Sequence, residues 1–247
     1  MNPNVQAALR ALQEGRIVLV YDADGREEEV DIVAAGPHVS PDVVRTMRMD
    51  AGGLVCTAIG PEIHQALGLP FAADLLADAA RDHPVLAGTT PDDIRYDPSK
   101  SSFGVTINHR DTFTGITDED RSLTITALAA FATELAAGKV EVADFGARFR
   151  APGHVQLLNG AVGGLATRQG HTELSLELAR MAGLPAVTTV CEMMDPVSGR
   201  ALTRKDAEAY AARHDLVFLT GQDILDAWQN ASKTFEQPVA APALTSA

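Results

Sequence analysis

Two short runs of apolar residues, each long enough for one strand, leave no polar face along their length. These runs are "IVLVYD" at 17–22 and "LVCTAI" at 54–59. A strand that is apolar on both faces fits a sheet covered on both sides. Segments with helical spacing of apolar residues alternate with such runs along most of the chain. We therefore predict an α/β fold (α+β in strict usage), a three-layer α-β-α domain around a twisted β-sheet.

The connections between these segments allow further predictions. The stretch 36–40 is too short to be a helical crossover, so the sheet is predicted to be mixed. Residues 71 to about 102 are rich in Asp, Pro and Ser with little periodicity. We predict a long surface connection there, of a length that is often functional. Thr117 followed by Asp120 is typical of a capping box and predicts the start of a long helix.

Length and composition predict one domain. A chain of 247 residues with 46% hydrophobic content can bury one sizeable core. From Ser232 onward no periodic pattern is present, and Ala, Pro, Thr and Ser are frequent. We therefore predict a single catalytic domain over residues 1–231 and a disordered tail over residues 232–247.

The charge balance restricts the partners of the chain. Its 20 Lys and Arg against 33 Asp and Glu give a formal net charge of −13. Nucleic-acid backbones and anionic membranes repel such a surface, so we expect neither as a partner, whereas a bound cation is easily accommodated. The cysteines Cys56 and Cys191 are too few for a disulfide framework. No apolar run approaches the ~20 residues that span a bilayer, so a cytoplasmic location is expected.

An acidic stretch, "YDADGREEEVDIVAAG" at 21–36, lies between two apolar segments. Its carboxylates are Asp22, Asp24, Glu27, Glu28, Glu29 and Asp31, with Arg26 among them. Two interpretations compete, a solvated turn and a site that is built from carboxylates to hold a cation.

A second informative segment is "TRQGHTELSLELA", from Thr167 onward. Gly170 before a helix lets the backbone approach a ligand, and the first-turn N–H groups of that helix can bind an anion. Arg168 adds a forked cation and Thr172 a hydroxyl, so the segment has the parts of a phosphate cradle. The alternative is that Thr172 and His171 only cap the helix. His171 is likewise either a metal ligand or a structural residue.

Glu192 is the third candidate, because it lies at the end of a run that is predicted to be a buried strand, "AVTTVCEMM". A carboxylate there needs a partner or a function, unless it turns toward solvent.

Six segments occur in the order that a known family shows. They are "REEEVD" (26–31), "DAGGLVCTA" (50–58), "SSFGVTINHRDTFTGITDEDRSLTI" (101–125), "APGHVQLL" (151–158), "RQGHTELS" (168–175) and "VCEMM" (190–194). Together they resemble the 3,4-dihydroxy-2-butanone 4-phosphate synthases, and the resemblance runs from the first helix to about residue 222.

The resemblance implies a lyase of riboflavin biosynthesis that converts D-ribulose 5-phosphate into 3,4-dihydroxy-2-butanone 4-phosphate and formate. It implies a Mg²⁺ cofactor, with Mn²⁺ as an alternative, and Glu27 and His171 as the metal ligands. It also implies a homodimer. We expect the face of that dimer to include the apolar helical segment "LTITALAAFATEL".

Roles for individual residues follow from the same resemblance. The residues implied around the substrate are Arg26, Glu27, Asp31, Cys56, Arg168, Gln169, Gly170, His171, Thr172 and Glu192. Glu192 is implied as the acid/base residue, and His154 and Asp31 as further catalytic residues.

The implied chemistry suits these residue types. Proton removal beside a ketone, followed by a shift of the carbon skeleton, requires an enediolate, and a divalent ion stabilises that negative charge. A carboxylate whose pKa is raised by partial burial, as we expect for Glu192, can transfer protons at more than one carbon. The acidic stretch is therefore interpreted as a cation site.

The chain departs from the bacterial pattern Arg-Glu-Asn-Glu-Gly-Asp, because Glu28 replaces Asn and Val30 replaces Gly. Loss of the Gly removes freedom at positive φ, so we expect the loop to follow another path near Glu29 and Asp31. The chain is also expected to be the stand-alone form, without the GTP cyclohydrolase II domain that many bacterial members carry. Two alternatives stay open, a metal-dependent sugar-phosphate isomerase or aldolase and a non-catalytic phosphometabolite-binding module.

Overall fold

Seven strands form one sheet in the computed structural model, which describes residues 2–89, 94–97 and 100–236. The strands are β1 (Val18–Tyr21), β2 (Val30–Ala35), β3 (Cys56–Ile59), β4 (Phe103–His109), β5 (Phe149–Asn159), β6 (Val187–Glu192) and β7 (Val217–Thr220). Their order is β4-β5-β3-β6-β2-β1-β7. β1 runs parallel to β7 and β3 parallel to β5, while the remaining neighbours are antiparallel. The prediction of a mixed sheet is confirmed.

Helices cover this sheet. In the described residues they are α1 (Pro3–Gln13), α2 (Pro41–Thr46), α3 (Pro61–Leu67), α4 (Ala72–Ala79), α5 (Asp118–Ala136), α6 (Val142–Arg148), α7 (His171–Met181), α8 (Arg204–His214) and α9 (Gly221–Glu236). α5 packs against α2 and β4, and α7 packs against α1, α9 and β6. This arrangement confirms the predicted three-layer α/β fold.

The central strands lie in the core because they have no polar face to turn toward water. Every residue of β1, β2 and β3 is buried, as the apolar runs predict. Asp31 on β2 is buried along with its neighbours, with a relative exposure of 2%. A carboxylate at such a position is costly unless it has a partner, so it draws attention to this part of the sheet.

The segment 71–102, which was predicted as a long surface connection, has secondary structure in its first part that the prediction did not include. It contains α4 and a short 3-10 helix at Pro84–Leu86. None of the 8 residues of α4 is buried. The sequence therefore shows no core-facing stripe there, and such a stripe is the signal on which helix prediction rests. Residues 90–93 and 98–99 of this connection lie outside the described residues.

The C-terminal boundary also differs from the prediction. α9 extends to Glu236, past Ser232, where the disordered tail was predicted to begin. The segment that continues the helix contains neither Gly nor Pro, so nothing in it forces the helix to end. Residues 237–247, the rest of that predicted tail, lie outside the described residues. Within the described part of the chain, no helix is long and apolar enough to cross a membrane.

Candidate active site

The acidic stretch forms the connection between β1 and β2, and it folds around Asp22. The Asp22 carboxylate is buried and accepts the backbone N–H groups of Glu27 at 3.0 Å and Glu29 at 3.1 Å. It also accepts a hydrogen bond from Nη1 of Arg26 at 3.1 Å. A solvated turn would not bury a carboxylate in this way, so the connection is an organised structure with Asp22 at its centre.

The departures at Glu28 and Val30 have a local explanation. Glu28 has a φ of 58°, in the left-handed region, whereas Val30 opens β2 in extended conformation opposite Tyr21. The left-handed residue of this connection other than glycine is therefore the one that replaces Asn, a residue that tolerates this region better than most. The Glu28 carboxylate compensates in part by accepting the backbone N–H of Gly25 at 2.8 Å.

The start of α7 brings two guanidinium groups together. Gly170 is its N-cap residue, and a Cβ built at Gly170 would collide with Nη1 of Arg168 and lie 2.6 Å from Nη2 of Arg26. Only glycine leaves room for both cations over the helix N-terminus. Arg168 is fixed by Glu173, whose buried carboxylate accepts its Nη1 at 2.8 Å. The first-turn N–H groups and two arginines form an anion cradle.

Next to this cradle, His171 lies among carboxylates. Its Nδ1 donates to Glu27 Oε2 at 3.1 Å, and its Nε2 lies 3.8 Å from Asp31 Oδ1. Nε2 of His171 and Oδ1 of Asp31 are both buried and have no hydrogen-bond partner among the described residues. Buried polar atoms are rarely left in this state, and a missing ligand or ion is one common reason.

The charges of this cluster follow from burial and mutual attraction. Burial opposes the imidazolium form of His171, but Asp31 and Glu27 outweigh it and raise its pKa to about 9. Burial raises the pKa of Asp31 to about 8, against the attraction of His171. Burial also opposes the carboxylate form of Glu27, yet the hydrogen bond from His171 and the charge of Arg26 lower its pKa. The cluster therefore holds a proton at neutral pH, which a metal ion would displace.

Glu192 lies beside this cluster at the end of β6, directly opposite Asp31 in the antiparallel register. Its Oε2 accepts the backbone N–H of Leu54 at 2.8 Å. A Cβ at Gly53 would collide with the same carboxylate oxygen, so the lack of a side chain at Gly53 lets the backbone approach Glu192 closely. The half-buried carboxylate is thus held in one orientation.

These groups line one cavity of about 320 Å³. Seven of the predicted site residues contribute to its wall, namely Arg26, Glu27, Asp31, Arg168, His171, Thr172 and Glu192. The fold therefore joins the acidic connection, the start of α7 and the end of β6, which sequence spacing alone could not establish.

The other predicted site residues lie outside that wall, as the described residues define it. Gly170 lies directly behind the arginines, and Gln169 lines a neighbouring cavity. Cys56 is buried in β3, and the nearby charges of Glu192 and Asp31 add to the effect of burial on its pKa, which is raised. His154 is exposed on β5, where its backbone N–H donates to Oδ1 of Asn108 at 2.8 Å.

Sequence reasoning missed several residues of the site. Tyr96 and Asp97 line the cavity from the 71–102 connection, and Glu173 and Asp22 hold the arginines from beneath. Glu173 could have been recognised in the sequence, because a carboxylate in the first turn of a helix with an apolar face needs a cationic partner if it is buried. Asp97 has no such signal, since it lies in a segment without periodicity.

Taken together, an anion cradle beside a cluster of carboxylates and one imidazole, in a cavity of an α/β sheet, defines an enzyme class. It is the class that binds a phosphorylated small molecule next to a divalent cation.

Comparison with known proteins identifies the family within this class. The family model described as 3,4-dihydroxy-2-butanone 4-phosphate synthase matches residues 6–227. The chain belongs to the 3,4-dihydroxy-2-butanone 4-phosphate synthase family, which confirms the resemblance seen in the sequence.

Individual relatives agree with this assignment. The synthase of Methanothermobacter thermautotrophicus is 46% identical over 224 residues, which cover 91% of this chain and 95% of the relative. The synthase of Archaeoglobus fulgidus is 46% identical and covers 90% of this chain and 92% of the relative. A solved synthase structure in complex with two magnesium ions has a TM-score of 0.71 and 27% identity, with 92% of this chain and 97% of that chain covered.

Proposed function

We propose that this chain converts D-ribulose 5-phosphate into 3,4-dihydroxy-2-butanone 4-phosphate and formate, for riboflavin biosynthesis, in the 320 Å³ cavity. The observation that carries the proposal is the meeting of the anion cradle and the carboxylate–histidine cluster in that cavity. We further propose a single catalytic domain that includes all of α9 and so extends past residue 231 to Glu236, for which the continuous sheet is the support. A cytoplasmic location is proposed from the low cysteine content.

The phosphate of the substrate binds at the start of α7. Its oxygens accept hydrogen bonds from the guanidinium groups of Arg26 and Arg168, from first-turn N–H groups and from Thr172. This remote contact holds the sugar in place during several chemical steps, so binding energy serves orientation.

The residues of the cluster fit a divalent cation. Single ligand atoms of Asp22, Glu27 and His171 lie within 4.8 Å of one another, and the orphaned buried atoms of Asp31 and His171 are adjacent to them. We assign Mg²⁺, with Mn²⁺ as an alternative, to Glu27 and His171, because Asp22 is already engaged by the N–H groups and arginine around it. When bound, the ion stabilises negative charge on the oxygens of the substrate.

Proton transfer falls to the carboxylates that face the sugar. Glu192 is oriented by the Leu54 N–H and lies half-buried in the wall of the cavity, so it can exchange protons with substrate carbons. Asp31 lies opposite it and, with a pKa raised by burial to about 8, is able to hold a proton at neutral pH. Asp31 and Glu192 therefore place two carboxylates side by side in front of the sugar, where acid and base roles are both needed.

The products distinguish this proposal from its alternatives. A sugar-phosphate isomerase or aldolase consumes D-ribulose 5-phosphate without releasing formate, and a binding module consumes none. The proposal predicts loss of substrate with formation of formate. Consumption without formate would contradict the proposed reaction.

Arg168→Ala is predicted to raise KM chiefly, because the fork contacts the phosphate in ground and transition states alike. The expected loss of binding free energy is about 1.5–3 kcal/mol, which is the scale of hydrogen bonds to a charged group. Arg168→Lys is expected to recover only part of the lost substrate affinity, since the point charge of lysine lacks the forked geometry of the guanidinium group. Rising salt weakens the wild type more than the Ala variant, because the charge of the arginine is partly screened.

Steady-state kinetics at low and moderate salt check this prediction. Arg180→Ala is the matched control, since Arg180 lies on the same helix and pairs with Glu62 at 2.8 Å outside the cavity. An unchanged KM with a lower kcat in Arg168→Ala would show that the phosphate binds elsewhere.

We also propose a homodimer that gives His154 its catalytic role. His154 is exposed and its Nδ1 meets Asn108, which in turn donates to the Thr114 carbonyl. The side chains of Phe113 and Ile116 beside it are 92% and 51% exposed. A second copy that covers this apolar surface would bring His154 toward a cavity. Ile125, Leu128 and Phe131 of α5 are buried in the core, whereas Leu123 on the same helix is 38% exposed. The dimer face expected on this helix from the sequence therefore stays a prediction.

Light scattering on the purified chain tests this proposal, with a dimer mass expected at assay concentration. His154→Ala is expected to lose activity without loss of the dimer. A monomer with full activity would contradict it.

A further inference from the structure

The carboxylate of Asp97 lies on both guanidinium groups of the anion cradle. Asp97 belongs to the connection that precedes β4, and its Oδ2 accepts hydrogen bonds from Nε of Arg168 at 2.7 Å and Nη2 of Arg26 at 3.1 Å. The Asp97 side chain is 7% exposed and lines the cavity. One carboxylate oxygen is therefore shared by the two cations that lie over the start of α7.

This position is the one that a phosphate oxygen needs. The two guanidinium groups lie against Gly170 at the N-cap of α7, so an anion there has access to the helix N–H groups as well. With Asp97 on the same donors, a phosphate meets a fixed negative charge at hydrogen-bonding distance from both arginines. Phosphate and Asp97 cannot make these contacts together without strong repulsion.

We propose that Asp97 is a specificity-determining residue, which competes with the phosphate of the substrate for Arg26 and Arg168 and is displaced when the phosphate binds. The inference rests on the proposed function, because it takes the cradle as the phosphate site. The inference adds a role for Asp97 that opposes binding in the cradle, because a phosphate has to replace Asp97 on the two arginines.

Asp97, and not Glu173, is the carboxylate that exchanges. Glu173 is part of α7, its side chain is 1% exposed, and both of its oxygens are engaged, by the Ala161 N–H at 2.9 Å and by Arg168 at 2.8 Å. It therefore stays in place and positions Arg168. The Asp97 carboxylate reaches the cradle from a connection and faces the cavity that the ligand enters.

Displacement of Asp97 favours phosphorylated sugars over neutral ones. A phosphate replaces the lost contacts with charge-assisted hydrogen bonds to both arginines and to the start of α7. A hydroxyl of an unphosphorylated sugar cannot, so Asp97 remains on the arginines and keeps the cradle closed to it. Discrimination between two ligands arises here from an element that acts against the wrong one.

Titration calorimetry with inorganic phosphate, at one fixed magnesium concentration, tests the proposal on the full chain. Asp97→Asn is expected to bind phosphate about tenfold more tightly than wild type, which corresponds to about 1.4 kcal/mol. Asp42→Asn is the matched control, because it removes an aspartate that pairs with Arg45 at 2.7 Å outside the cavity. It is expected to bind phosphate as wild type does, which excludes a mere effect of net charge.

Asp97→Ser provides a second variant without the charge, and Asp97→Glu retains it; thermal unfolding verifies that each is folded. Asp97→Ser is expected to follow Asp97→Asn, and Asp97→Glu to stay near wild type. Unchanged or weaker phosphate binding in both uncharged variants would overturn the proposal, because Asp97 would then only hold the arginines in place.

Arg168→Ala separates this failure from failure of the proposed function. If Arg168→Ala binds phosphate as tightly as wild type, the cradle is not the phosphate site, and the proposed role of Asp97 is overturned with it. If Arg168→Ala loses phosphate binding while the uncharged Asp97 variants gain none, the cradle stands and only the role of Asp97 is overturned.

Discussion

Glu192→Gln is expected to bind D-ribulose 5-phosphate about as tightly as wild type and to turn it over about 10²- to 10⁴-fold more slowly, the usual scale of general acid–base catalysis. The amide oxygen can still accept the Leu54 N–H that orients this side chain. It cannot take or give a proton at a substrate carbon. The measurement compares kcat with the affinity for substrate, and thermal unfolding verifies the fold.

Glu62→Gln is the matched control for this variant, because it makes the same change in a carboxylate that pairs with Arg180 at 2.8 Å outside the cavity. Its kcat is expected to equal that of wild type. If Glu192→Gln retained near-native turnover, the acid/base role would belong to another group, with Asp31 and His154 as the remaining candidates.

Glu27→Gln and His171→Ala are each expected to lower turnover by at least about 100-fold at low magnesium, since each removes a proposed ligand of the same ion and even supporting residues of metal sites contribute 10- to 100-fold. Direct titration with Mg²⁺ is expected to show the same loss of affinity, and high magnesium is expected to restore part of the activity. His214→Ala, which removes an exposed imidazole on α8, is the matched control.

Near-native turnover of either variant at low magnesium would show that its residue is not a ligand. Loss of turnover with unchanged Mg²⁺ affinity would instead indicate a role in substrate binding. The two measurements together thus separate metal binding from other functions of the same side chain.

The fold could be predicted because its signals are local. Strands without a polar face identify a sheet covered on both sides, and the Thr117 side chain does accept the Asp120 N–H at the start of α5. The segments that were mispredicted lack such signals. α4 buries none of its residues, so its sequence has no core-facing apolar stripe.

The site could be predicted only in part, for a similar reason. The residue types of the β1–β2 connection and of α7 can be recognised in the sequence. The position of Asp31 opposite Glu192, in contrast, follows from the pairing of β2 with β6. Asp97 contacts Arg26 and Arg168, each 71 residues away along the chain. No pattern in the sequence encodes a contact of that separation, and only the folded chain shows it.

The location of raised pKa values illustrates the same limit. In the structure, burial raises the pKa of Asp31 to about 8 and also raises that of Glu29. Burial of a single carboxylate depends on how neighbouring strands and helices close over it, which strand prediction does not include.

The proposed reaction is tested most directly by incubation of the chain with D-ribulose 5-phosphate and Mg²⁺, followed by quantification of formate and a mass measurement of the phosphorylated product. We expect one formate for each 3,4-dihydroxy-2-butanone 4-phosphate formed, with formation abolished by excess chelator and restored by added magnesium. Robust product formation in excess chelator would contradict the role of the metal. Consumption of the substrate without formate would contradict the reaction itself.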